Sequence, residues 1–130
     1  MNVALICVAL LSFLCIATAF YVSMQRGKTE TIYGCDTDPE NPLYKAVRAH
    51  GNTTEFAPIL ALMIFVLAQA PLAGWVIWTM ILATFFRYLV VAGLLLPKTM
   101  AKPNPMRFVG ALGTFITGTM LAVAILMMAL

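Results

Sequence analysis

At 130 residues the chain is sized for one compact unit, yet 62% of it is hydrophobic and only 10% is charged. A soluble domain usually carries about 25% charged residues, and there is too little polar surface here to cover a water-soluble sphere, so lipid must be the solvent over most of its sides. The net charge of +3 is no argument for nucleic acid, because the basic residues fall at the ends of apolar segments rather than on one exposed face.

The first apolar run extends from Val3 to about Met24. Ala17-Thr18-Ala19 mimics a signal-peptide cleavage site, but no basic residue precedes the run, and it is too long for the core of a signal peptide. At 1.5 Å per residue it reaches roughly 30 Å, enough to cross the hydrocarbon; it reads as an uncleaved membrane helix. Gly27 to Pro42 is polar and turn-rich, with Asp36, Asp38, Pro39, Glu40 and Asn41, and reads as a surface loop. A second helix is expected from about Leu43 to Gln69, its first turns polar and projecting into water before it enters lipid. Ala70-Pro71 breaks it. A third runs from about Leu72 to Leu96 and is stopped by Pro97; after a loop holding Pro103 and Pro105, a fourth runs from about Met106 to Leu130. Four helices on short loops predict an all-α, antiparallel transmembrane bundle, one domain over residues 1–130. Cys7 and Cys15 lie within the first apolar run and Cys35 in the loop; no spacing suggests a metal site, and one histidine cannot make one.

Basic residues near helix ends set the orientation. Arg26 and Lys28 follow helix one, Lys45 and Arg48 open helix two, and Lys98, Lys102 and Arg107 lie between helices three and four. The stretch from Gln69 to Gly74 has no charge. Seven of the eight basic residues thus fall on one side, which should be cytoplasmic, with both termini opposite.

An ionisable residue within a membrane helix costs about 2.5–3.5 kcal/mol on insertion scales and is a functional hypothesis by default. Two qualify: Glu55 on helix two and Arg87 on helix three, each about ten residues, or roughly 15 Å, from the charged end. At matched depth they could pair directly, offsetting their desolvation. On helix two, Arg48, Asn52 and Glu55 are spaced i, i+4, i+7, a stripe about 60° wide, and Lys45 extends it outward. Such a row suits a zwitterionic ligand, with Arg48 on a carboxylate, Glu55 on an ammonium and Asn52 between them; the competing reading is a solvated face, which fits Lys45 and fits Glu55 badly. His50 points to the opposite side of that helix. On helix four, Gly110, Thr114, Gly118 and Ala122 recur at four-residue intervals, as expected of a close-packing seam in lipid.

The stretch Arg48-Ala49-His50-Gly51-Asn52-Thr53-Thr54-Glu55 resembles the helix-two signature of the membrane-associated proteins in eicosanoid and glutathione metabolism (MAPEG), and the Arg late in helix three and Pro103-Asn104 followed by Arg107 agree with it. The resemblance implies a homotrimer with a site between neighbouring subunits near the cytoplasmic face. Glutathione would be the co-substrate there, its sulfur transferred to a lipophilic electrophile or used to reduce a lipid peroxide. By motif, Arg48, Asn52 and Glu55 would hold the glutathione backbone, with His50 at a position of Gln or His and Arg87 at the family's helix-three arginine. Arg107 and Arg26 match two arginines that come from adjoining subunits and lie near the thiol. Phe56, Val90 and Leu94 depart from the family, where many members carry tyrosine or histidine. The functions in view are a glutathione-dependent transferase or peroxidase, a non-catalytic lipid-binding or accessory member of the same family, and a small proton-coupled transporter with Glu55 as proton carrier. Membrane lipids and a lipophilic small molecule are the expected partners.

Overall fold

Three of the four helices begin on an asparagine whose amide oxygen accepts backbone N–H groups that a helix start leaves unpaired. Asn2 caps α1 (Val3–Thr29) through Leu5, Asn41 caps α2 (Pro42–Leu67) through Leu43 and Tyr44, and Asn104 caps α4 (Pro105–Ala129) through Met106 and Arg107. Pro42 and Pro105 occupy the first helical position, where a missing N–H costs nothing. The remaining helix, α3 (Gly74–Leu95), starts without a side-chain cap. This computed structural model describes residues 2–130, and no strand occurs among them.

All four helices are long and apolar enough to cross a membrane, and the chain is an all-α integral membrane protein. Their 22 to 27 residues correspond to about 33–40 Å against roughly 30 Å of hydrocarbon, so the longer ones stand clear of the lipid core at an end. The helix α1 therefore continues past Met24 to Thr29, including Gln25, Arg26, Gly27 and Lys28, instead of ending where the apolar run ends. Glu30, in the left-handed region at φ 51°, terminates it, its N–H bonding to the carbonyl of Arg26. The short connection at the uncharged end is wider than the sequence suggests: α2 stops at Leu67 and α3 waits until Gly74.

In cross-section α2 and α3 lie against each other, α1 and α4 pack on either side of that pair, and the backbones of α1 and α4 do not approach closely. One apolar cluster, including Leu11, Leu60, Ile64, Met80 and Leu121, fills the bundle; a second, formed by Leu14, Ala49, Val90, Val91 and Leu94, lies nearer the charged end. Phe13, Phe20, Trp78, Phe85 and Phe115 turn outward to the lipid. At the charged end the two long connections are tied together, Met100 N–H bonding to the Pro39 carbonyl at 3.0 Å and Lys45 Nζ to the Pro97 carbonyl at 2.7 Å.

The buried seam of α4 runs through Gly110, Gly113, Thr114, Thr117, Leu121 and Ala124, all small but Leu121. Gly118 is only partly covered and Ala122 is exposed. A strict four-residue step advances about 40° too far each time on a helix of 3.6 residues per turn, so the expected row drifts onto the lipid face by Ala122. Glycine is required at the contact itself. A Cβ on Gly93 of α3 would stand 2.5 Å from the Arg107 backbone nitrogen and 2.9 Å from its Cα, and one on Gly113 would enter the Phe86 ring. Gly93→Ala is accordingly expected to push the first turn of α4 away from α3, costing about 1–3 kcal/mol; thermal unfolding in detergent reads that loss, and an unchanged midpoint would mean the helices part without strain.

Candidate functional site

The capped start of α4 and the close approach at Gly93 deliver Arg107 to the side of α2 that carries Tyr44, Arg48 and Asn52. These residues, with Val90 and Leu94 of α3, Met100 of the following loop and Ala111 of α4, enclose a cavity of about 350 Å³ at the charged end. Ligand pockets run from about 300 to 1,000 Å³, so this one suits part or all of a small ligand. Arg107 is braced by an Nη1 hydrogen bond to the Met100 carbonyl at 3.0 Å. The cavity's lining holds two guanidiniums, an amide and a phenol but no carboxylate. It is an anion-seeking site by composition.

Arg87 does not line this cavity. It is 1% exposed, lies under Asn52, and its Nη2 donates to both the Asn52 backbone carbonyl, at 2.9 Å, and the Asn52 Oδ1, at 2.7 Å. The Phe56 ring covers the guanidinium face, 5.0 Å from its centroid. The direct pairing of Arg87 with Glu55 expected from their matched depth is therefore replaced by pairing with Asn52. Three residues along a helix is a rotation of about 60° from Asn52, enough to turn Glu55 outward, where it is exposed on the surface of the chain.

The remaining expected site residues are dispersed within one chain. Arg48 and Asn52 share the cavity, and Glu55 does not reach it. His50 faces α1, its Nδ1 3.1 Å from Thr18 Oγ1. Arg26, at the end of α1, directs Nη1 to the carbonyls of Thr31, Ile32 and Gly34 at 3.4, 3.4 and 2.9 Å, holding the loop rather than lining the cavity. Lys45, expected to prolong the stripe, instead ties the opposite loop through Pro97. Tyr44 takes that place; it is four residues before Arg48, and helical spacing alone could have singled it out. Met100 carries no comparable signal.

A second, apolar depression of about 780 Å³ adjoins the cavity, sharing Arg107 and Ala111 and walled by Pro103, Pro105, Phe108 and Val109. Phe108 is 68% exposed, and Leu112 beyond it is also turned outward. One edge of Arg107 thus borders a polar chamber and the other an apolar surface.

Among known protein families, the model described as the MAPEG family matches residues 4–127. No curated protein and no solved structure matches the chain.

Proposed function

The chain belongs to the MAPEG family, which sets its work at a membrane in glutathione or eicosanoid metabolism, and we propose that it is a glutathione-dependent transferase or peroxidase acting on lipophilic electrophiles. The observation that carries this reading is the convergence of Arg48, Asn52 and Arg107, from two helices, on one cavity beside an apolar surface. Glutathione presents two carboxylates, an ammonium and a thiol. The carboxylates match the guanidinium of Arg48 and the Asn52 amide, and the Arg107 guanidinium stands by the thiol. A thiol has a pKa of about 8.5, and a guanidinium close by favours the thiolate, which is the nucleophile. The thiolate sulfur attacks an electrophilic carbon and forms a C–S bond; the leaving group departs with the bonding pair, or an opened epoxide oxygen takes up a proton. A lipid peroxide would instead lose its terminal oxygen to the sulfur, giving an alcohol and an oxidised thiol. The lipophilic substrate enters sideways from the bilayer along Phe108 and Val109, while glutathione arrives from the charged, cytoplasmic side.

In this reading the active assembly is a homotrimer. A neighbouring protomer covers the outward face of α2, where Glu55 meets the glutathione ammonium, and contributes Arg26 near the thiol. His50 then lies at the edge of the neighbour's site.

One observation favours a non-catalytic relative: Val90 and Leu94 are apolar walls of the cavity, at positions where many family members have hydrogen-bonding rings. Calorimetry of glutathione into protein in nanodiscs, with conjugation of a general aryl halide and reduction of a fatty-acid hydroperoxide, separates the readings. Micromolar to millimolar binding with turnover of either substrate is expected. Binding without turnover of either would leave the accessory protein, and no heat at millimolar glutathione would end the glutathione reading.

A further inference from the structure

Arginine has five N–H donors and no acceptor, so whichever atom of an amide faces it must be the oxygen. Asn52 therefore commits Oδ1 to Arg87 Nη2 and leaves its NH₂ end for the cavity. That NH₂ group has no hydrogen-bond partner among the described residues. On the Arg87 side, only Nη2 finds a hydrogen-bond acceptor among the described residues: the Nε–H is buried with no partner there. A buried donor left unmet is a stability cost, so a residue chosen for stability alone would be apolar at this position. Resting on the proposed glutathione site, we infer that Arg87 is a positioning residue that never touches the ligand but fixes Asn52 as a pure donor, so that the ligand group at this corner is a carboxylate or carbonyl and cannot be an ammonium.

The fixed orientation has two parts. The bond to the Asn52 backbone carbonyl holds the helix in place, and the bond to Oδ1 holds the side chain. A free amide would rotate and offer its oxygen as readily as its nitrogen, repelling a carboxylate in half its orientations. With a cation behind it the amide is polarised, which strengthens its N–H groups toward an anion.

The test is a double-mutant cycle on glutathione affinity, using the full chain in nanodiscs. Arg87→Met is expected to raise Kd about tenfold or more, the scale of one hydrogen bond to a charged group. In an Asn52→Ala background the same substitution should change Kd less than about twofold, because the backbone bond is all that Arg87 then holds and no side-chain amide remains for it to orient. A second tenfold loss there would overturn the inference, since Arg87 would then act on the ligand or on the fold directly. Arg87→Lys keeps one cationic donor and should recover part of the affinity; it also serves as the cycle partner if Arg87→Met does not fold. A ligand-independent reading comes from the Asn52 side-chain ¹⁵N–¹H pair in micelles. Two resolved resonances, shifted from those of solvent-exposed asparagines, collapsing to them in Arg87→Met and moving only partway in Arg87→Lys, are expected. Solvent-like resonances in the unmodified protein would sink the positioning role. If the unmodified protein binds no glutathione, the proposed activity fails while these resonances still decide what Arg87 does.

Discussion

With Arg107 replaced by alanine, the thiolate absorbance of bound glutathione at pH 7 should fall about twenty-five-fold. A guanidinium within reach of a thiol lowers its pKa by about 1–3 units, so a bound thiol near 6.5 in the unmodified protein would be mostly ionised at pH 7. Without the guanidinium it returns to about 8.5, where about 3% is ionised at that pH. The absolute loss is largest between the two pKa values and vanishes above about pH 10, because both forms are then almost fully ionised. Turnover should fall by a smaller factor, roughly fourfold from ionisation alone, because the more basic thiolate is intrinsically the better nucleophile. A turnover loss far beyond that would mean Arg107 also orients the sulfur or stabilises the developing charge. An absorbance unchanged across the titration would remove Arg107 from the thiol altogether.

The fold explains why this arginine is well placed for that work. Asn104 and Pro105 fix the start of α4, Gly93 lets it lie against α3, and Met100 restrains the guanidinium from behind. What remains free faces a polar chamber on one side and an apolar depression on the other. A reaction joining a charged tripeptide to a lipid-soluble partner needs such a boundary, since neither reactant enters the other's solvent at low cost.

Hydrophobic run length makes the four helices legible from sequence, because in lipid every backbone polar group must be satisfied within its own segment. Their ends are less so. The limit of the apolar run marks where lipid ends, and α1 continues for another turn and more through Gln25 to Thr29, which are no worse as helix residues for being polar. For the site, helical spacing puts Arg48 and Asn52 on one face, and Tyr44 would follow from the same rule. Spacing says nothing about which neighbour that face meets. Depth alone suggests Glu55 as the partner of Arg87; the actual partner, Asn52, is decided by the rotation of α2 about its axis, which depends on the packing of all four helices. The dispersal of Arg26 and Glu55 away from the cavity is likewise set by how the helices pack and not by either helix alone.

Glu55→Gln should raise the Kd for glutathione about thirtyfold while leaving unchanged the Kd for an analogue that lacks only the amino group. An exposed carboxylate some ten residues into a membrane helix, on the face with Ile59 and Leu62, makes no ion pair or hydrogen bond through its side chain within its own chain among the described residues. Facing lipid, it would cost about 2.5–3.5 kcal/mol. Protonation, a neighbouring protomer or a ligand's positive charge can remove that cost, and the three differ in what the substitution does. If the ammonium of glutathione is the partner, removing the negative charge strands a desolvated cation, an effect of about 2 kcal/mol or more. The deaminated analogue has no cation to strand, so its affinity should be the same before and after the substitution. Equal losses for both ligands would assign Glu55 to the contact between protomers, with a matching loss of trimer in native mass spectra. No loss for either, with pH-gradient-driven uptake into liposomes, would make it a proton carrier and the cavity something other than a glutathione site.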